Sequence, residues 1–121
     1  MPWNLNSDRP IYTQILEVIK MRIITGVYQP GEKIPSVREL AMQAGVNPNT
    51  MQKALSELER SGLVMAQRTS GRVVTEDMDM IGEVRNNLAK EQVHEFFVRM
   101  QELGYNRQEI MHLLAKEGEH E

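Results

Sequence analysis

The sequence of 121 residues contains no cysteine. The chain therefore has no disulfide framework and no thiolate zinc site, which suits a reducing cytoplasm. No apolar run approaches the ~20 residues that a membrane-spanning helix needs. The first residues lack the basic start and the apolar core of a signal peptide. We therefore expect a cytoplasmic protein without a membrane partner.

Histidine is also scarce, and its three residues are scattered. His94, His112 and His120 are the three histidines, and no acid–base or metal-ligand cluster surrounds them in the sequence. His94 and His112 each follow a glutamate by three positions, but pairs of this kind are common on solvated helix surfaces. No glycine-rich phosphate-binding segment is present. The sequence therefore predicts no enzyme, no metal site and no cofactor.

Residues 34–62 carry the most informative pattern, two short helices joined by a tight turn. Ser36 can cap the first helix, and Glu39 three positions later completes a capping box. Gly45 can end this helix in a left-handed conformation, and Asn47 can cap the second helix. Two helices in this arrangement predict a helix-turn-helix.

The second helix has a buried and an outward face. Its apolar residues recur at helical spacing: Met51, Ala54, Leu55 and Leu58. Its outward residues are uncharged or basic: Asn47, Asn49, Thr50, Gln52, Lys53 and Ser56. Asn and Gln can pair bidentately with adenine, and Lys can reach guanine or a phosphate. A generic helical hairpin is the alternative, but its solvated face usually carries acids, and none occurs between Gly45 and Ser56. The face therefore predicts a recognition helix.

Segments 63–68 and 72–75 have strand composition and flank a turn at residues 69–71. They predict a β-hairpin. A hairpin directly after a recognition helix is the wing of a winged helix, and Arg68 and Arg72 beside its tip would then contact the DNA backbone. Simple closure of the sheet is the other role that such a hairpin can have. Upstream, we expect a helix over residues 11–25.

The acidic segment 76–79 predicts a boundary between domains 1–75 and 76–121. Beyond it, we expect helices over about residues 80–103 and 106–116, the second capped by Asn106. Two helices of this size cannot bury their own apolar stripes, so they predict a dimer across a two-fold axis. The predicted interface residues are Leu88, Phe96, Phe97, Met100, Leu103, Ile110 and Leu114.

The charge is unevenly distributed along the chain. The formal net charge is −3, with +3 in residues 1–75 and −6 in residues 76–121. The segment with the helix-turn-helix is thus the basic one, which matters more for nucleic-acid binding than the overall charge. Because +3 is mild, we expect one copy to bind DNA weakly.

Residues 10–75 resemble the GntR family of bacterial transcription regulators. The resemblance rests on Ile34-Pro-Ser-Val-Arg-Glu-Leu-Ala, Gly45-Val-Asn, Thr50-Met-Gln-Lys-Ala-Leu-Ser-Glu-Leu-Glu and Gly62-Leu-Val. It implies that Arg38 contacts DNA, that Ser36 caps its helix beside a phosphate, and that Asn47, Asn49 and Thr50 begin the recognition helix. Many relatives have Arg in place of Pro48 and Gln52, so we expect a different operator. The short helical C-terminal region is similar to the YtrA-like branch, whose members often lie beside genes for ABC transporters.

The sequence thus predicts a mainly α fold with a small β-hairpin, a winged helix-turn-helix followed by a two-helix dimerisation region. The predicted DNA-binding residues are Ser36, Arg38, Asn47, Asn49, Thr50, Gln52, Lys53, Arg68 and Arg72. We expect a dimeric repressor that binds a palindromic operator in double-stranded DNA. The resemblance to the YtrA-like branch implies that this operator lies in front of an operon for an ABC transporter. A winged-helix module that binds protein instead of DNA is the alternative. A small-molecule effector of unspecified identity would bind the C-terminal region or the place where that region meets the DNA-binding domain.

Overall fold

The computed structural model describes residues 3–68 and 71–118, and within these ranges it has five helices and one two-stranded sheet. In chain order the elements are α1 (Ile11–Ile24), α2 (Val37–Ala44), α3 (Pro48–Ser61), β1 (Val64–Ala66), β2 (Arg72–Val74), α4 (Met78–Glu102) and α5 (Arg107–Gly118). The predicted mainly α fold with a small hairpin is confirmed.

The chain divides into two compact units, Met1–Glu83 and Val84–Glu121, and the division falls within α4. The first unit contains the helix-turn-helix and the hairpin, and the second contains most of α4 and all of α5. The assignment of DNA binding to residues 1–75 and of dimerisation to residues 76–121 concerns function, and it stays a prediction. Among the described residues, no helix combines the length and apolarity that crossing a membrane requires.

The core of the first unit is built around α3. This helix packs against both α1 and α2. Its predicted apolar stripe of Met51, Ala54, Leu55 and Leu58 is fully buried. The largest buried side chains of α1 are Ile15, Ile19 and Ile23, and Leu40 is the corresponding residue of α2. Each large apolar side chain buried in this way contributes about 1.5–3 kcal/mol. The core therefore holds α3 in one orientation and determines which side chains it exposes.

The helix ends of the helix-turn-helix follow the predicted pattern. The Ser36 hydroxyl accepts a hydrogen bond from the Glu39 amide at 3.1 Å, as an N-cap residue should. Gly45 ends α2 with φ of 74°, a left-handed conformation that glycine adopts without steric cost. The Asn47 side-chain oxygen caps α3 by accepting the Asn49 amide at 2.7 Å. The turn between the helices is thus determined by the caps and the backbone conformation of residues close to it in sequence.

The hairpin pairs β1 with β2 in an antiparallel register that places Val64 opposite Val74 and Ala66 opposite Arg72. Both strands have three residues and are shorter than the predicted segments 63–68 and 72–75. The Gln67 amide donates to the Gly71 carbonyl at 3.0 Å, which continues the same register by one pair beyond Ala66 and Arg72. The predicted turn residues 69 and 70 lie outside the described residues. An isolated antiparallel bridge between Lys33 and Val73 adds the segment before α2 to the edge of this hairpin.

The beginning of α4 differs from the prediction. We expected an acidic break over residues 76–79 and a helix from about Met80, but the helix begins at Met78. The Asp77 carboxylate accepts the Met80 amide at 3.1 Å, so it acts as the cap. Acidic residues in a first helical turn are favourable because they face unpaired amides and the positive end of the helix dipole. The acidic segment therefore starts the helix and does not interrupt it.

The predicted cap of α5 is confirmed. The Asn106 side chain accepts the Glu109 amide at 2.8 Å, and the Glu109 carboxylate accepts the Asn106 amide at 2.9 Å. These reciprocal bonds satisfy two amides that would otherwise lack partners at the start of the helix.

Candidate nucleic-acid interface

The outward face of α3 is presented to solvent as the sequence predicted. Asn47, Asn49, Gln52 and Lys53 are exposed, and Thr50 is half-buried. Arg38 on α2 is exposed as well. The apolar stripe of α3, which contains Met51, faces the core, and the polar side chains lie on the solvent-exposed side of the same helix. Their orientation is therefore compatible with DNA contacts, which stay a prediction for each of them.

Two of the predicted DNA-binding residues also act as helix caps. Ser36 caps α2 and Asn47 caps α3, each through a side-chain oxygen that accepts a backbone amide. Both side chains are exposed at the start of a helix. Free amides at such helix starts favour anions, and DNA phosphates are anions. The capping geometry thus agrees with a phosphate-contact role for Ser36.

Beyond the cap at Asn47, Gln52 and Lys53 on the α3 face also have partners within the protein. The Gln52 amide nitrogen donates to the Ser56 hydroxyl at 3.3 Å, one turn further along the same helix. The Lys53 ammonium lies 3.9 Å from the centre of the Tyr12 ring, which belongs to α1. Sequence reasoning did not identify Tyr12, because no local pattern connects two residues that meet only when α1 packs on α3.

Arg72 at the start of β2 forms an ion pair with a residue of α3. Its Nε atom lies 2.9 Å from the Glu59 carboxylate of α3, and its side chain is only 15% exposed. Arg68, nearer the tip of the hairpin, is exposed. The structure thus gives Arg72 a partner that the sequence did not predict. In the structure, Arg72 connects the hairpin to α3. Its contact with the DNA backbone stays a prediction.

We expect Arg72→Ala to destabilise the protein by about 1 kcal/mol, since a partly buried, charge-assisted hydrogen bond exceeds an exposed ion pair in strength. Glu59→Ala should cost a similar amount, and the double variant should cost less than the two single losses together. Denaturant unfolding of the four proteins measures this coupling. Additive losses in the double variant would show that the pair contributes nothing to stability.

The segment before α1 is fixed to this helix by polar contacts. The buried Gln14 side chain accepts the Asn6 amide and donates to the Asn6 and Arg9 carbonyls. Arg9 forms two hydrogen bonds with the Glu17 carboxylate, at 2.8 and 3.0 Å. The hydrogen bond from Arg9 holds the pKa of Glu17 below its ordinary value. These contacts position the chain that leads into Tyr12.

The predicted interface residues of the C-terminal unit differ in exposure. Leu103 is 72% exposed, and Leu114 and Phe96 are exposed to lesser extents. Leu88, Phe97 and Met100 are half-buried. Ile110 is fully buried within the single chain, so it supports α5 from inside and presents no surface to a partner. Large exposed side chains that the prediction omitted include Val93, Met111 and Leu113.

The two histidines in the described part of the chain are surface residues. His94 and His112 are exposed, and His120 lies outside the described residues. In the described part of the chain, no three His, Cys, Asp or Glu side chains come together in a way that could hold a metal ion.

Comparison with known proteins identifies the family. The family model of the "Bacterial regulatory proteins, gntR family" matches residues 11–74. The transcriptional regulator YhcF of Bacillus subtilis is 40% identical over 87% of this chain and 87% of its own length. The transcriptional repressor YtrA of B. subtilis is 39% identical over 76% of this chain and 72% of its own length.

A solved structure of a protein from the same family is also similar to this chain. A GntR family transcriptional regulator from Listeria monocytogenes is 38% identical, with a TM-score of 0.85 over 93% of this chain and 98% of that one. The matched family region covers α1 to β2, the elements that carry the exposed polar face described above. The chain belongs to the GntR family of bacterial regulatory proteins, as a DNA-binding transcriptional regulator of the helix-turn-helix type and not an enzyme.

Proposed function

We propose that this regulator is a repressor that binds a palindromic operator as a homodimer. The observation that carries the proposal is the exposed face of α3, which offers Asn49, Gln52 and Lys53 and has no acidic residue between Gly45 and Ser56. Repression is supported by the similarity to YtrA of B. subtilis, which is described as a repressor.

The roles of the polar residues follow from their chemistry. The side-chain amides of Asn49 and Gln52 can each donate to and accept from the major-groove edge of adenine. Arg38 lies on α2, and the first helix of a helix-turn-helix crosses the DNA backbone. We therefore assign base reading to Asn49 and Gln52, and a phosphate contact to Arg38.

The experiment compares Asn49→Ala, Gln52→Ala and Arg38→Ala on an operator found by footprinting upstream DNA. Losing a bidentate base contact should cost about 1–3 kcal/mol on the preferred site and less on sites with that base pair changed. Arg38→Ala should weaken binding to all sequences alike and reduce the salt dependence by the contribution of one phosphate. Titrations at several salt concentrations measure both effects.

Gln108→Ala is the matched control, because Gln108 is an exposed glutamine on α5 in the other compact unit. It should bind the operator as the wild type does. If the three α3 and α2 variants also bind unchanged, the base-reading assignment fails. A wild type without affinity for any upstream DNA would favour the alternative of a protein-binding winged helix.

A second copy of the chain is the partner that we propose for the C-terminal unit. Leu103, Leu114 and Phe96 are large apolar side chains that remain exposed in one copy. Two-fold pairing would bury them and would place two recognition helices on half-sites about 34 Å apart. Residues 76–121 carry a formal charge of −6, and an interface there would keep these carboxylates away from the phosphates.

The proposal extends to the regulated genes and to an effector. An ABC transporter operon is the proposed target because the short C-terminal region resembles the YtrA-like branch. A small-molecule effector would bind the C-terminal unit, where a groove of about 660 Å³ lies along α4 with Val93, Phe97 and Arg107 in its lining. We place the protein in the bacterial cytoplasm, because that is where the DNA that it is proposed to bind lies.

A further inference from the structure

The contact between Lys53 and Tyr12 has no role in the function proposed so far. Lys53 is an exposed residue on the DNA-facing side of α3, and its side chain could extend freely into solvent. Its ammonium instead lies 3.9 Å from the centre of the half-buried Tyr12 ring. A cation at this distance from an aromatic face is attracted by the negative charge of the ring face.

The position of the ring determines the direction of the lysine side chain. Tyr12 lies at the beginning of α1, which packs beside α3. The ammonium of Lys53 is therefore drawn sideways from α3 toward α1, whereas Gln52 bonds along the axis of α3 to Ser56. An α-helix about 10–12 Å in diameter fills a major groove about 12 Å wide, so the phosphates lie to the sides of a recognition helix. A side chain directed toward α1 thus points toward the groove edge.

The chemistry of lysine agrees with this direction. An ammonium on a flexible four-carbon chain is a point charge without the planar fork that reads a base edge bidentately. Holding the ammonium on an aromatic ring reduces the freedom that it would lose on binding DNA. The contact leaves the ammonium charge intact, because a ring face is no counterion.

We propose that Tyr12 is a positioning residue that holds Lys53 for contact with a backbone phosphate at the edge of the major groove. Base reading on α3 is then left to Asn49 and Gln52. This role rests on the proposed operator binding through α3. The sequence allowed two partners for Lys53, guanine or phosphate, and this proposal selects phosphate.

Nuclear magnetic resonance tests the positioning directly. Protons above an aromatic face resonate upfield, so the ε-methylene protons of Lys53 should be shifted upfield in the free wild type. The shift should persist in Tyr12→Phe, which keeps the ring, and disappear in Tyr12→Leu. It should also persist in the operator complex. An unshifted Lys53 in the free wild type would overturn the proposal even if Tyr12→Leu did not fold.

Binding measurements test the phosphate contact. Lys53→Met removes the charge but keeps most of the side-chain length, and it should weaken operator and unrelated DNA by the same factor, about threefold to tenfold. The slope of log affinity against log salt should fall by about 0.9, the contribution of one phosphate. Lys116→Met on α5 removes an equal charge from the other unit and is the matched control.

The double variant links the two residues. Tyr12→Leu should weaken binding less than Lys53→Met does, and it should cause no further loss when Lys53 is already methionine. An equal loss in both backgrounds would overturn the positioning role. A change in base preference on Lys53→Met would overturn the phosphate assignment. Failure of the proposed function is a different result, since the wild type itself would then show no preference for operator over unrelated DNA.

Discussion

Replacing Leu103 with glutamate is expected to convert the proposed dimer into monomers that no longer bind the proposed operator. Leu103 follows the last residue of α4 and is 72% exposed in one copy, so a carboxylate there meets water and the fold of the copy is unaffected. In a two-fold interface the same carboxylate would be buried without a partner. Losing one leucine contact from each copy weakens pairing by roughly 3–6 kcal/mol, on the order of 10²- to 10⁴-fold in the dimer dissociation constant.

Sedimentation of wild type and variant at micromolar concentration measures the pairing, and a titration with operator DNA measures its consequence. Val27→Glu is the matched control because Val27 is also a large exposed apolar residue, but it lies in the other compact unit. It should sediment as the wild type does. A monomeric wild type, or a Leu103→Glu variant with unaltered dimerisation, would contradict the proposed interface.

Leu103 is a better choice for this test than Phe97. The Phe97 ring packs edge-to-face on Phe96 at 5.9 Å between centroids and has the Arg107 guanidinium 5.6 Å from its centre. A charge at Phe97 would therefore disturb contacts within one copy as well as contacts between two. Substitution of Leu103 therefore tests pairing alone, whereas substitution of Phe97 would also alter the folding of one copy.

The helix-turn-helix could be predicted because its determinants are local. Ser36, Gly45 and Asn47 each act on amides or carbonyls within a few positions along the chain. The α3 stripe repeats at the helical period, so its burial and the exposure of the opposite face follow from spacing alone. The same holds for the reciprocal cap between Asn106 and Glu109.

The contacts that sequence reasoning did not find join residues from different elements. Tyr12 meets Lys53, and Arg72 meets Glu59, only after α1 and the hairpin have packed against α3. Spacing along one helix also does not distinguish a buried apolar residue from an exposed one in the C-terminal unit. Ile110 and Leu114 lie one turn apart on the same helix, yet Ile110 is buried and Leu114 is exposed. Such distinctions depend on tertiary packing, which the sequence pattern does not specify.

The other large effect concerns the core that orients the recognition helix. Leu58 of α3 is fully buried, and Leu58→Ala should lower the free energy of unfolding by about 2–5 kcal/mol through lost burial and the cavity that it leaves. Denaturant unfolding followed by the fluorescence of Trp3, the single tryptophan, measures the stability of the unit that contains α3. The midpoint should fall while the denaturant dependence stays constant, since the surface exposed on unfolding is nearly unchanged.

Leu113→Ala is the matched control, because this leucine of α5 is exposed and belongs to the other unit. It should leave the transition reported by Trp3 within about 0.5 kcal/mol of the wild type. Below its transition, folded Leu58→Ala should keep the base preference of the wild type, because Asn49 and Gln52 lie on the opposite, exposed face of α3. A loss of under about 1 kcal/mol would show that Leu58 does not anchor α3, since burying a leucine contributes more than that. A changed base preference in the folded variant would show instead that the packing of the core also affects how Asn49 and Gln52 contact the bases.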